Sequence, residues 1–202
     1  MSILTVASMA NAQSLKFTGM QLSTANSGTI NVNGTSETVK MGALTFSGTS
    51  GSIVTYCADA LSPLNSNTNP YTLGAVNLSA GTGLALAGKI MATNFSAATT
   101  DDQQQGLQLA IWDALYDNGS SFNATSGNLK VTSGVSAAAL GFASTYYTAG
   151  KNNAGPLPAV ELFKATGAGG QDQLHVVPEP ASFAVLSLGI VGLVRRRKTA
   201  SK

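Results

Sequence analysis

Two residues of this 202-residue chain have side chains whose types, taken together, could do chemistry: Cys57 and Gln108. Cys57 is the single cysteine and ends a strand-like run in Tyr56-Cys57-Ala58-Asp59, so it has no partner for a disulfide within its own chain. Outside the cytoplasm such a thiol is exposed to oxidation and unwanted pairing. Gln108 falls between Leu115 and Trp112 on a helical wheel of about 100° per residue, inside an apolar stripe. Burying a carboxamide there costs about 1–3 kcal/mol unless its polar atoms find partners. One reaction answers both oddities. A thiolate that attacks a glutamine carboxamide expels ammonia and leaves an internal thioester, which caps the cysteine and removes the amide. The product is an acyl electrophile that an amine or hydroxyl opens, and proximity with a polarising environment suffices to form it. The alternative asks for no reaction: Cys57 is a small buried hydrophobe, and Gln108 hydrogen-bonds to loop backbone.

The elements that would position this pair can be read in outline. Residues 15–18, 29–32, 38–41 and 53–56 alternate apolar and polar side chains between Gly, Asn and Ser breaks, the pattern of short strands. Residues 62–69 read as a loop, and 84–91 as a short helix. The clearest helix runs from Thr100 to Asn118-Gly119. Thr100 and Gln103 form a capping box, Asp101 and Asp102 suit the positive end of the dipole, and Leu107, Ala110, Ile111, Ala114 and Leu115 make one stripe. Gln104 sits near the same face but in the first turn, where burial is not expected. A second helix is expected over 136–147, and final strands over 160–163 and 173–177. The fold class is mainly β, a sandwich or barrel with a small helical subdomain (α+β), plus a short C-terminal transmembrane helix.

Other reactive groups are sparse. His175 is alone and reads as a strand residue, Asp113 and Asp117 read as a solvated helix face, and no residue set has metal-ligand or phosphate-loop spacing. No catalytic residue, metal or cofactor is assigned. The formal charge is +2, yet five of the eleven basic residues lie in the last eight positions, and residues 1–180 carry six lysines against nine acids. With no basic cluster outside the tail, nucleic acid is excluded as a partner.

The two ends read as targeting segments. Residues 1–12 contain a short apolar stretch and the A-x-A pattern Ala10-Asn11-Ala12, as in a signal peptide, without a basic start. We expect an upstream start codon and a mature chain that begins near Gln13, with one extracellular domain over 13–176. Residues 177–202 are tripartite: Val177-Pro178-Glu179-Pro180, then the apolar run 181–194, then Arg195, Arg196, Arg197 and Lys198 heading the basic tail 195–202. Fourteen residues reach roughly 21 Å as a helix, a marginal span that snorkelling arginines would hold on the cytoplasmic side.

This tail resembles the PEP-CTERM sorting signal of Gram-negative bacteria, in order and in position. The resemblance implies export, anchoring in the inner membrane before processing, and cleavage near the motif by the membrane enzyme exosortase. It also implies a final place at the cell surface or in the extracellular matrix, in species that make extracellular polysaccharide.

Residues 56–59 together with Leu107-Gln108-Leu109-Ala110-Ile111-Trp112 resemble the paired motifs of bacterial surface thioester domains, an aromatic-Cys-x-acid segment and a later Gln-x-Ala-Ile-Trp helix. That resemblance, which covers roughly residues 50–120, implies a Cys57–Gln108 cross-link supported by Tyr56, Asp59 and Trp112. The Cys-to-Gln separation is shorter than usual for that group, and Ala58 stands where a larger aliphatic residue is typical. Two readings follow. One is a surface or matrix protein that attaches covalently to amines or hydroxyls, on polysaccharide, protein or another surface. The other is a non-covalent structural protein of matrix or biofilm with the same fold. A third, a hydrolase using Cys57 with His175, lacks any residue to orient the histidine.

Overall fold

The computed structural model of the protein describes residues 12–22, 26–49 and 51–178. Nine strands and three helices follow one another within them: β1 (Ala12–Met20), β2 (Ser27–Val32), β3 (Thr35–Lys40), β4 (Leu44–Gly48), β5 (Gly51–Cys57), β6 (Thr68–Ala75), α1 (Gly83–Asn94), α2 (Asp101–Tyr116), β7 (Leu129–Ser133), α3 (Ala137–Asn152), β8 (Val160–Ala165) and β9 (Gln173–Val176). Six strands close a barrel in the order β1-β4-β5-β9-β8-β6, every pair antiparallel, with β6 returning to β1. The remaining three form a separate sheet, β3-β2-β7. The mainly β, α+β architecture is as expected, and its β part includes a closed barrel.

The strands read from alternation are present, slightly longer than expected. Three were not anticipated: β4, β6 and β7. β6 begins at Thr68 and so takes the end of the segment read as a loop; it contains Pro70 and Gly74, both poor strand residues. Barrel closure overrides that preference, because β6 pairs with β1 on one side and β8 on the other. Cleavage after Ala12 would fall within the first residues of β1. Residues 1–11 and 179–202, which hold most of the signal peptide, the rest of the sorting motif, the apolar run 181–194 and the basic tail, lie outside the described residues. Among those described, no helix is long and apolar enough to cross a membrane.

Helix α2 is the centre of the molecule. Its start is set as expected: Gln103 N donates to the Thr100 hydroxyl, and Gln103 Oε1 accepts from the Thr100 N–H at 3.0 Å. Its burial is not as expected. Every residue from 104 to 114 is buried, so the helix has no solvated face along that stretch. Helix α3 lies against it so closely that a Cβ on Gly106 would sit 2.7 Å from both Ala139 O and Phe142 Cβ. The start of α3 is tied to the start of α2, since Ser136 caps Ala139 N and donates to Asp102 Oδ1 at 2.6 Å. Barrel, small sheet and helices share one apolar core.

Asp113 is the main correction to the helix reading. It is 1% exposed, not solvated. Its Oδ1 accepts from Asn123 N at 3.2 Å, while Oδ2 has no partner among the described residues. Burial, and secondarily the neighbouring Asp117 charge, pushes its carboxyl up from 3.8 to about 6, against the Asn123 N–H. A carboxyl raised on folding binds its proton more tightly in the native state. Its contribution is therefore complete below the unfolded value and is lost as pH rises through 6. Asp113→Asn should match wild type near pH 4 and exceed it by about 2 kcal/mol at pH 8. Urea unfolding at the two pH values checks this; an equal difference at both would mean that Asp113 does not titrate on folding.

Candidate functional site

Of the three buried glutamines of helix α2, Gln104 and Gln108 lie one turn apart and both face the place where the β4–β5 ladder ends. The β4–β5 pairing runs from Gly48 and Gly51 to Leu44 and Thr55 and goes no further. Beyond it, between the two diverging strands, Ala43 and Cys57 have backbone groups that no strand meets on that side. Gln104 Oε1 accepts from Ala43 N at 3.2 Å, and its Nε2 donates to Gln21 Oε1. Gln108 Oε1 accepts from Cys57 N at 3.0 Å, and its Nε2 donates to Cys57 O at 2.8 Å. The Gln108 carboxamide thus takes the place of a missing strand partner for Cys57, across 51 residues of sequence. Gln104, expected to be exposed, is 2% exposed for the same reason.

Cys57 ends β5, opposite Gln173 of β9. It is free and buried. Its Sγ donates to Asp59 O at 2.9 Å and accepts from Asp59 N at 3.2 Å. Burial pushes the thiol far above its ordinary range. The Asp59 backbone and then Trp112 act against that shift, and the Asp59 and Asp172 charges add to it. The Trp112 indole N–H is itself buried with no acceptor at hydrogen-bond geometry, so its influence on the sulfur is not a well-formed bond.

The expected supporting residues fall in three different places. Trp112 lies one turn beyond Gln108 and lines the same cleft. Asp59 holds the Cys57 sulfur with its main chain, while its carboxylate accepts from Leu61 N, Ser62 N and the Ser62 hydroxyl, closing the turn that follows. Tyr56 is buried, and its ring meets the edge of Phe95 rather than the cleft. Two further residues brace the turn without any signal in the sequence. Gln171 Nε2 donates to Asp59 O and Ser62 O at 2.7 and 2.8 Å, and the Tyr116 hydroxyl accepts from Ala60 N at 3.0 Å. His175 is engaged elsewhere, its Nδ1 2.9 Å from Val54 O and its ring against Phe163.

Cys57, Gln108 and Trp112 share a cleft of about 730 Å³. Its walls come from β1, β3 and the 60–64 segment. Among the described residues, no group of His, Cys, Asp and Glu could hold a metal ion. Chemically, the arrangement offers a nucleophilic sulfur, a carboxamide held to the same residue, and a backbone N–H on the carboxamide oxygen.

Comparison with known proteins locates the tail. Residues 176–198 match the PEP-CTERM protein-sorting motif, so the chain carries a sorting signal of this kind. No curated protein matches the chain. Among solved structures, the fold is similar to the N-terminal thioester domain of a surface protein from Clostridium perfringens, with a TM-score of 0.44 and 11% identity. The similarity covers 82% of this chain and 98% of that one.

Proposed function

We propose that this is an exported cell-surface or extracellular-matrix protein that attaches covalently to amines or hydroxyls through a Cys57–Gln108 thioester. The signal peptide over residues 1–12 directs its export, and the C-terminal sorting signal is processed by exosortase, with Val177, Pro178, Glu179 and Pro180 as the recognised motif. Arg195, Arg196, Arg197 and Lys198 stop transfer through the inner membrane.

The observation that carries the covalent reading is the seating of the Gln108 carboxamide on the cysteine's own backbone, at 3.0 and 2.8 Å, within an open cleft. In the closing step, Cys57 Sγ bonds to Gln108 Cδ, the Cδ–Nε2 bond breaks, and the thiol proton leaves with nitrogen as ammonia. Reactants and products are neutral, which suits a buried thiol that does not ionise readily. The negative charge of the tetrahedral intermediate develops on Oε1, where the Cys57 N–H already donates. In the opening step, an amine bonds to Cδ, sulfur departs, and the amine's proton passes to it. A polysaccharide hydroxyl would give an ester by the same exchange.

The second reading is a non-covalent matrix or biofilm component. It is favoured by the two hydrogen bonds themselves, because they satisfy the buried carboxamide without any reaction. Intact mass of the full chain, purified without amine buffers, separates the readings. A deficit of one ammonia, replaced on methylamine treatment by an adduct at Gln108 and absent in Cys57→Ala, is expected for the thioester. A mass equal to the plain sequence, with Cys57 free to alkylate after unfolding, would leave the structural reading.

A further inference from the structure

One carbonyl receives the Cys57 thiol. Asp59 O accepts from Cys57 Sγ at 2.9 Å and from Gln171 Nε2 at 2.7 Å. A carbonyl oxygen has two lone pairs, so these two donors fill it. Gln171 lies between β8 and β9, 112 residues from Asp59 in sequence, and its side chain borders the Cys57 cleft. The same Nε2 also donates to Ser62 O at 2.8 Å, on the far side of the turn.

Gln171 is itself held from within the barrel. Its Oε1 accepts from Gln173 Nε2 at 3.2 Å, and Gln173 Oε1 accepts from the Thr55 hydroxyl at 2.9 Å. Thr55 and Gln173 are fully buried, and Gln173 is the ladder partner of Cys57. The bonds form a circuit. It leaves β5 at Thr55, passes through two carboxamides and the Asp59 carbonyl, and returns to β5 at Cys57. A satisfied network of this kind holds one geometry. The main chain supports it, since Ala58 N donates to Asp172 O at 2.8 Å, one step past the Cys57–Gln173 pair. Thioester closure would change a single link. As Sγ bonds to Gln108 Cδ and the Cδ–Nε2 bond breaks, the thiol proton leaves Asp59 O and departs with nitrogen as ammonia. Asp59 O is then left with Gln171.

We propose that Gln171 is a positioning residue for the Cys57–Gln108 reaction: through the Asp59 carbonyl it directs the sulfur toward the Gln108 carboxamide, and it holds that carbonyl in place once the thiol proton has gone. This rests on the acyl-donor reading of the pair for its kinetic outcome, but not for the hold on the sulfur. Without Gln171, the carbonyl is tied to the sulfur only by the bond that closure removes. A displacement of about 1 Å between reacting groups costs about a hundredfold in rate. Tyr116 supplies the contrast. Its hydroxyl braces the neighbouring residue of the same turn, accepting from Ala60 N at 3.0 Å, and makes no bond to the Asp59 carbonyl.

The test compares Gln171→Met, which keeps the side-chain length and loses the donors, with Tyr116→Phe and wild type, all as the full chain in mild detergent. Gln171→Glu, which keeps the Oε1 acceptor, repeats it where Gln171→Met fails to fold. Ammonia opens the thioester back to the Gln108 amide and the Cys57 thiol; after its removal, the returning mass deficit measures closure. Gln171→Met should close at least about tenfold more slowly than wild type, and Tyr116→Phe within about twofold of it. Equal rates in Gln171→Met and wild type, or equal slowing in both variants, would overturn the proposal. A second arm needs no thioester. Cys57 is the single cysteine, so the infrared S–H stretch reports its hydrogen bond alone. It is recorded on the ammonia-opened protein, or on the chain as purified where no deficit is found. Gln171→Met should move the band to higher wavenumber, toward a free thiol, and Tyr116→Phe should leave it in place. A band that Gln171→Met leaves unmoved or lowers would overturn the proposal whatever the mass shows. An upward shift in a chain that never shows the deficit would keep Gln171 as the holder of the sulfur and overturn the acyl-donor reading instead.

Discussion

Replacing Gln108 with alanine should abolish both the ammonia deficit and the methylamine adduct, and should also lower stability by about 2–4 kcal/mol. The chemical loss is complete because the acyl carbon is gone. The stability loss has a separate cause. Gln108 is 1% exposed, and its amide is the hydrogen-bond partner of both the N–H and the C=O of Cys57. Alanine leaves those two buried groups unpaired, at about 1–3 kcal/mol for each unsatisfied group, and opens a cavity beside them. Cys57→Ala removes the same cross-link but keeps the Gln108 amide on the Cys57 backbone, so Gln108→Ala should be about 2–4 kcal/mol less stable than Cys57→Ala. Urea unfolding and intact mass on the two variants separate structural from chemical roles. A Gln108→Ala protein as stable as Cys57→Ala would contradict the capping role, and an adduct surviving in either variant would sink the thioester.

Trp112 should divide its contributions in a similar way. It is 1% exposed in the core beside the pair, so Trp112→Ala should cost about 3–5 kcal/mol. Trp112→Phe keeps most of the ring volume and removes an indole N–H that has no acceptor, so its stability should stay within about 1 kcal/mol of wild type. Its kinetic effect should be larger. The indole favours charge on the Cys57 sulfur, the leaving atom when an amine opens the thioester. A tenfold slower opening would correspond to about 1.4 kcal/mol at that step. Losing the indole also raises the thiol further, so alkylation of Cys57 in the methylamine-opened protein should need higher pH. An unchanged aminolysis rate and alkylation profile in Trp112→Phe would reduce Trp112 to packing.

Parts of this arrangement are local and parts are not. Helix α2 could be placed from Thr100, Gln103, Asp101 and Asp102 because a capping box is satisfied within four residues. The strands with clear alternation could be placed for the same reason. β4, β6 and β7 carried weak local signals: five residues next to glycine, a strand holding Pro70 and Gly74, and a sheet edge. Their strand state comes from partners elsewhere in the chain. Asp113 and Gln104 were misplaced because a wheel assumes that a helix has one buried side, whereas α2 is enclosed along residues 104–114.

Taken alone, the sequence determined that Cys57 and Gln108 were the two residues whose burial or reactivity needed a partner, and that the chain ends in a sorting signal. Both follow from residue type and short-range order: a single cysteine, a carboxamide in an apolar stripe, and a motif, apolar run and basic cluster in succession. The chemistry of Cys57 and Gln108 already suggested pairing them, but only the tertiary structure places the Gln108 carboxamide on the Cys57 backbone. The end of the β4–β5 ladder leaves the Cys57 backbone unpaired, and the register of a helix 51 residues away supplies the amide that completes it. Contacts of that range depend on how whole elements fit together, which no local pattern encodes.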